Sequence, residues 1–201
     1  MATLGVIGSI FRPSPVGFNY VQQWTDIAND NGSQTRDLYY RNGSAFVAAN
    51  AGAGAWQRSA RSVDTVSGIF SVVLRAPMSS YAYIGLNTQG GSPTYPNPRY
   101  ARSPYAVTTQ TVALSGQQVS RVYELGVGKG SNIVWAATSS VSWAICDTGS
   151  AIVYKYSTDG VTWTTHYTSL ATYTPNQIYQ IDVGVTYGDQ NIMVEVYSSV
   201  I

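Results

Sequence analysis

The alternation of apolar and polar residues between Val141 and Tyr197 is the feature that most restricts the fold of this chain. Five short segments there carry an apolar side chain at nearly every second position, and turn sequences containing Asp, Gly and Ser separate several of them. A period of two residues is typical of strands that bury one face, and short turns between such strands predict an antiparallel meander. The buried faces need a second sheet to cover them, so the sequence predicts an all-β, antiparallel sandwich. The alternating sets are Val141, Trp143 and Ile145; Ile152, Tyr154 and Tyr156; Val161, Trp163, Thr165 and Tyr167; Tyr179, Ile181, Val183 and Val185; and Ile192, Val194 and Val196.

The rest of the chain predicts one domain with an N-terminal arm. Short strands at this spacing are typical of a single sandwich or jelly roll, which we assign to residues 41–201. Residues 1–40 are predicted to form the arm and the first strands, and a short helix is one interpretation of residues 18–28. Further strands are predicted at residues 38–40, 45–49, 69–75, 81–86, 106–114, 119–125 and 133–137.

The charge composition limits the classes of partner. Only 10% of the 201 residues are charged, against roughly 25% in an average soluble domain, and the net charge is +1. Binding to nucleic acid needs clustered Lys and Arg, so no nucleic-acid partner is predicted. No apolar stretch approaches the length of a membrane span. The apolar run among the first residues is also too short for a secretory signal, so none is predicted. A surface so poor in charge suits a protein that faces glycans, lies outside the cell or is buried in an assembly.

The side chains that perform catalysis are sparse. Glutamate occurs only at Glu124 and Glu195, and no closely spaced carboxylates suggest glycoside hydrolysis. No Gly-x-Ser-x-Gly sequence presents a nucleophilic serine, and the single histidine, His166, is predicted on the polar side of its strand with Thr162 and Thr164. We therefore expect a protein that is not an enzyme, with no catalytic residues and no cofactor.

Metal and thiol chemistry are not expected either. Asp147, Asp159 and Asp189 all lie in predicted turns, where their side chains cap the backbone, so no metal site is predicted. Cys146 lies near the end of a predicted strand, and we expect a buried, inert thiol. Trp163 shares a face with apolar neighbours and is predicted to belong to the core.

Residues 153–163, Val-Tyr-Lys-Tyr-Ser-Thr-Asp-Gly-Val-Thr-Trp, carry a resemblance to a known superfamily. The string resembles the Tyr-Ser-x-Asp-Gly-x-x-Trp hairpin of concanavalin A-like lectin and laminin-G-type sandwiches. Residues 179–197 are similar to the closing strands of that superfamily. The resemblance implies a concanavalin A-like jelly roll, but the calcium-binding Asp and Asn cluster of the lectins is not recognisable, so no sugar-binding residue is carried over.

The segment from Asn87 to Pro104 has four prolines and no strand pattern. Loops of this length in a compact domain are usually functional or flexible, and this one either covers a sheet edge or subunit boundary or contacts a ligand. Its candidate ligand-binding residues are Tyr95, Arg99, Tyr100 and Arg102, because tyrosine rings stack on sugar rings and polar groups bond sugar hydroxyls.

The N-terminal arm is a candidate docking segment. Residues 1–16 include the apolar side chains Leu4, Ile7, Ile10 and Phe11, which we expect to pack against another chain.

Two functions from different classes fit these observations. The first is a structural or adhesion protein of a virion: a phage tail-fibre, receptor-binding or capsid-decorating module, made in the host cytoplasm. Its partners would be other virion subunits or further copies of itself, with a cell-surface glycan as a candidate ligand. The alternative is an extracellular carbohydrate-binding module or lectin. A symmetric oligomer in solution favours the first, and a monomer favours the second.

Overall fold

A computed structural model describes residues 18–19, 24–26, 38–41, 45–48, 58–76, 82–88, 103–111, 118–135, 141–185 and 190–201. Every regular element within these ranges is a β-strand, and none is a helix. The strands are β1 (Phe18–Asn19), β2 (Trp24–Asp26), β3 (Leu38–Arg41), β4 (Ala45–Ala48), β5 (Arg58–Val66), β6 (Phe70–Ala76), β7 (Ala82–Thr88), β8 (Tyr105–Thr111), β9 (Gln118–Glu124), β10 (Val127–Trp135), β11 (Val141–Asp147), β12 (Ile152–Ser157), β13 (Thr164–Thr168), β14 (Tyr179–Val185) and β15 (Gln190–Tyr197).

The strands form two antiparallel sheets. The first sheet has the order β13-β12-β11-β6-β15-β4-β3, with β1 also paired to β15. The second has the order β10-β9-β8-β7-β14-β5-β2. The prediction of an all-β antiparallel sandwich is confirmed. The helical interpretation of residues 18–28 is wrong where that stretch is described, because β1 pairs with β15 and β2 pairs with β5.

The inner faces of the two sheets form the core. The predicted alternation places Trp143 and Ile145 of β11 opposite the inner residues of the second sheet, such as Ile84 and Ile181, and all four are fully buried. Burial of side chains of this size is worth about 1.5–3 kcal/mol each, which is the main force that holds the sheets together.

The prediction of a continuous meander over residues 141–197 is wrong for its last two strands. β11, β12 and β13 pair in order, but β14 lies in the second sheet between β7 and β5, and β15 returns to the first sheet between β6 and β4. Alternation indicates that a strand buries one face, and it carries no information about which sheet supplies the neighbours.

The turn before β13 is held by a carboxylate. Asp159 Oδ1 accepts hydrogen bonds from the backbone N–H groups of Val161 and Thr162 at 2.8 and 2.7 Å. The strand therefore begins at Thr164, three residues later than the alternation predicted. These hydrogen bonds also hold the pKa of Asp159 well below its usual value.

A second, smaller apolar cluster lies on the outer face of the first sheet. It contains Val73, Ala144, Cys146 and Tyr197, with Trp163 packed against it. Cys146 is fully buried and accepts a hydrogen bond from the Ser71 hydroxyl, and burial raises the pKa of its thiol. The predicted burial of this cysteine is therefore confirmed. Trp163 is half-buried and packs against this cluster, so it contributes to the outer cluster and not to the core between the sheets.

Most of the loops and side chains described below lie at one end of the sandwich, which we call the loop end. β7 ends and β8 begins there, because Leu86 pairs with Tyr105. The β9–β10 and β11–β12 turns reach the same end, and the ring of Phe70 meets that of Tyr179 across the two sheets at 6.1 Å.

Candidate functional site

The loop end carries the connection that the sequence singled out as a ligand loop. That connection leaves the second sheet after Thr88 and re-enters the described chain at Ser103, next to its starting point. Its four candidate residues, Tyr95, Arg99, Tyr100 and Arg102, lie outside the described residues. The assembly candidates Leu4, Ile7, Ile10 and Phe11, and the turn residue Asp189, also lie outside them. The site is therefore built from the groups that hold the bases of the loops.

A buried ion pair fixes the strand that leads into the connection. Asp182 of β14 is fully buried on the outer face of the second sheet, and its two oxygens accept Arg61 Nε at 2.6 Å and Arg61 Nη2 at 2.9 Å. Asn87 Nδ2 donates to the same carboxylate at 2.6 Å. Hydrogen bonding to Asp182 is the main reason that the pKa of Arg61 is raised above its ordinary value. These three side chains, which we call the Asp182 pin, join β5, β14 and the end of β7.

The return of the connection is fixed by close backbone packing. Ser103 is fully buried, and its carbonyl accepts the backbone N–H of Leu125 at 3.1 Å. A side chain at Gly85 would place its Cβ 2.5 Å from Ser103 Oγ, so only glycine lets Ser103 approach β7 this closely. The β9–β10 turn and the returning chain are thus held together.

A second buried carboxylate joins two more loops. Asp147 Oδ1 accepts the N–H of Gly149 in the β11–β12 turn and the hydroxyl of Tyr173, each at 2.8 Å. Tyr173 belongs to the connection between β13 and β14, and burial and this hydrogen bond raise its pKa to about 12. The prediction that Asp147 caps a turn is confirmed, and the carboxylate also fixes a tyrosine 26 positions away.

Glu124 and a group of tyrosines close the inner side of the loop end. The Glu124 side chain is 8% exposed, and Lys129 Nζ lies 4.0 Å from its Oε2. The rings of Tyr105 and Tyr179 meet edge to face at 6.0 Å, and burial is the first cause of the raised pKa values of Tyr105, Tyr154 and Tyr179. The Tyr154 hydroxyl donates to the backbone carbonyl of Tyr123 at 3.5 Å. Glu124 Oε1 and Asp147 Oδ2 are buried without a hydrogen-bond partner among the described residues.

Several large aliphatic side chains are exposed at the loop end. Leu125 is 68% exposed and Val127 is 58% exposed at the β9–β10 turn. Three further exposed aliphatic residues lie on neighbouring loops of this end, namely Ile69, Leu170 and Ile178. Within the described ranges, no group of three or more His, Cys, Asp or Glu side chains is placed to hold a metal ion. Nor does any helix in those ranges have the length and apolarity to span a membrane.

His166 lies away from the loop end and faces inward, so its predicted place on the polar side of β13 is wrong. Tyr154 pairs with Tyr167 and Lys155 pairs with Thr165, which leaves His166 as the extra residue of a β-bulge. Its ring meets those of Trp143 at 5.5 Å and Tyr156 at 6.4 Å. A prediction from alternation assumes that successive residues face opposite sides of the sheet, and the extra residue of a bulge breaks that rule.

The sequence alone did not reveal the groups that hold the loops. Arg61 and Asp182 are 121 positions apart, and only the completed sheet brings them together. One signal was present: Asp182 stands between Ile181 and Val183, so the alternation already placed a carboxylate on the outer face of a strand.

Comparison with known proteins shows the fold and nothing finer. No family model matches the chain, and no curated protein matches it. Among solved structures, the VIP36 exoplasmic/lumenal domain in its Ca2+/Man3GlcNAc-bound form is similar over 92% of this chain and 91% of that chain, with a TM-score of 0.57 and 6% identity. The TRIM65 PSpry domain is similar over 89% of this chain and 87% of that chain, with a TM-score of 0.54 and 10% identity. A functionally unknown protein from Saccharomyces cerevisiae is similar over 89% and 95%, with a TM-score of 0.51 and 10% identity. The likeness to these structures shows the β-sandwich fold of this chain.

Proposed function

We propose that this protein is a non-catalytic glycan-recognition domain that binds its ligand at the loop end. The observation that carries the proposal is the buried support under the loops: the Asp182 pin at the start of the long connection, and Asp147 under two neighbouring loops. Groups fixed in this way hold the ends of the loops in place before a ligand arrives.

Preorganisation matters for a sugar because each contact is weak. Ordering a side chain on binding costs about 0.5–1.5 kcal/mol, so a surface that is already ordered keeps more of its contact energy. The fold is also one in which VIP36 has been solved with mannose and with Man3GlcNAc, which supports the same ligand class here. Within the connection, Tyr95 and Tyr100 are proposed to stack on sugar rings, and Arg99 and Arg102 to donate to sugar hydroxyls.

The finer proposal is that the domain belongs to a virion, as a phage tail-fibre, receptor-binding or capsid-decorating module. Its support is the low charge content and the apolar N-terminal segment, which suit a protein that is built into an assembly. The alternative is an extracellular lectin. Measuring the solution mass separates the two, because assembly through residues 1–16 requires a symmetric oligomer and a free lectin does not.

A glycan array tests the binding proposal. The full-length protein is compared with the single variants Tyr95→Ala and Tyr100→Ala, and with Val161→Ala as a control, since Val161 is exposed in the turn before β13 at the opposite end. We expect the tyrosine variants to lose array signal while their Tm stays within a few degrees, and the control to bind as the parent does. An array without hits for the intact protein would contradict the proposal.

A further inference from the structure

Residues 198–201, which we call the strap, lie across the outer face of the first sheet. β15 ends at Tyr197, and the strap that follows it belongs to no strand. Residues 198–200 are exposed, whereas Ile201 is half-buried and packs against the outer cluster. The strap is therefore a cover laid on the sheet and not a part of its hydrogen-bonded ladder.

Two side chains of the sheet hold the strap in place. Ser71 Oγ on β6 donates to the carbonyl oxygen of Ser199 at 2.7 Å and accepts the backbone N–H of Ile201 at 3.2 Å. Lys155 on β12 donates from its Nζ to the carbonyl oxygen of Ile201. Because β11 lies between β6 and β12, the strap crosses above β11.

Cys146 of β11 lies beneath this crossing. Its side chain is fully buried, and its sulfur lies 3.3 Å from Ser71 Oγ. Burial is the main cause of the raised pKa of the thiol, and a hydrogen bond from the backbone of Ile201 to the sulfur opposes it in part. The cover therefore suppresses thiol chemistry twice, since it excludes a reagent and disfavours the reactive thiolate.

The strap is held less firmly than the strand below it. β11 is paired on both sides, with β6 and with β12, whereas the strap is held mainly by the Ser71 and Lys155 hydrogen bonds and by the packing of Ile201. Segments with few buried contacts open at a lower free energy than the core strands of the same protein. Release of the strap is therefore the least costly way to uncover Cys146.

We propose that the strap is a gate over Cys146: residues 198–201 open as a unit while the sandwich stays folded, and the thiol is modified in that open state. The gate is a conformational device of the first sheet. It does not depend on glycan binding, and its test needs no glycan.

Modification of the thiol by dithiobis(nitrobenzoate) measures the opening. The thiolate attacks the disulfide of the reagent and displaces one coloured nitrothiobenzoate, and the chain has a single cysteine, so one chromophore is released per protein molecule. We expect the labelling rate of the parent to be independent of urea well below the unfolding midpoint, because release of the strap exposes little surface. Labelling through global unfolding would instead make the logarithm of the rate rise with the slope of the unfolding transition.

Two variants weaken the strap in different ways. Ser71→Ala removes the hydroxyl that bonds Ser199 and Ile201, and Ile201→Ser removes the apolar contact with the outer cluster. Each should raise the urea-independent labelling rate by about tenfold or more. Val200→Ser is the matched control within the strap, because Val200 is 38% exposed and lies outside the outer cluster, and it should label at the parental rate.

Three results would overturn the gate. The first is a parental labelling rate that rises with urea as steeply as global unfolding does. The second is a parental rate in both Ser71→Ala and Ile201→Ser, and the third is an equal acceleration in Val200→Ser. If one weakening variant fails to fold, the other decides, and the urea dependence of the parent decides alone if both fail.

Discussion

His166 is a neutral group enclosed by aromatic rings. Its Nε2 atom is buried without a hydrogen-bond partner among the described residues, close to Gly130 on the facing edge strand. Burial lowers the pKa of the imidazole from 6.5, and a hydrogen bond with the Ser131 backbone opposes that effect only in part. Protonation must therefore favour the unfolded chain, in which the imidazole is hydrated.

We predict that acid destabilises the protein through His166. Because the folded-state pKa is the lower one, the stability that neutral His166 provides is complete above the unfolded pKa of about 6.5 and is lost as the pH falls through the folded value. The urea midpoint of the parent should drop between pH 7.5 and pH 5, and that of His166→Gln should drop less. Equal drops in the two proteins would assign the acid sensitivity to other groups.

The Asp182 pin acts at the scale of strands, because its members join β5, β14 and β7. Asp182→Asn removes the carboxylate charge that pairs with the Arg61 guanidinium, which is 13% exposed. Removing one partner of a buried ion pair costs about 3–5 kcal/mol, so we predict a fall of that size in the free energy of unfolding measured in urea.

The Arg75–Glu195 pair supplies the control for that prediction. These side chains are 29% and 12% exposed, and the guanidinium nitrogen lies 2.8 Å from the carboxylate, close to the distance in the pin. Glu195→Gln should cost clearly less, because water screens the more exposed pair. Similar losses in Asp182→Asn and Glu195→Gln would show that the pin has no special role.

The strands differ in how far their sequences revealed them. β11 and β12 were predictable because Trp143, Ile145 and Tyr154 alternate with smaller or polar residues on either side of a short turn that contains Asp147 and Gly149. β5 was missed because its sequence, Arg-Ser-Ala-Arg-Ser-Val-Asp-Thr-Val, has no apolar alternation, and its place between β14 and β2 depends on pairing with distant strands. The irregular, proline-rich composition between Asn87 and Pro104 revealed a loop. The side chains of the Asp182 pin, at the base of that loop, become neighbours only after the sheet has formed.

At the scale of the whole molecule, the N-terminal segment of residues 1–16 is the candidate for contact with another chain. The segment of residues 1–16 contains Leu4, Val6, Ile7, Ile10 and Phe11. Burying each of these side chains would contribute about 1.5–3 kcal/mol of free energy, which strongly favours packing against a further surface.

We predict that deleting residues 1–16 leaves a folded domain that no longer assembles. Light scattering should report a symmetric oligomer for the full-length chain and a monomer for the truncated one, with the Tm lowered only by the loss of the interface. Replacing Leu4, Ile7, Ile10 and Phe11 by serine in the full-length chain is the matched control, and it should give the same monomer because it removes the apolar contacts and keeps the chain length. If instead both forms are monomeric and the truncated protein unfolds, these side chains belong to the core of their own sandwich. The virion assembly proposal would then lose its main support, while glycan binding at the loop end would remain to be judged by its own experiment.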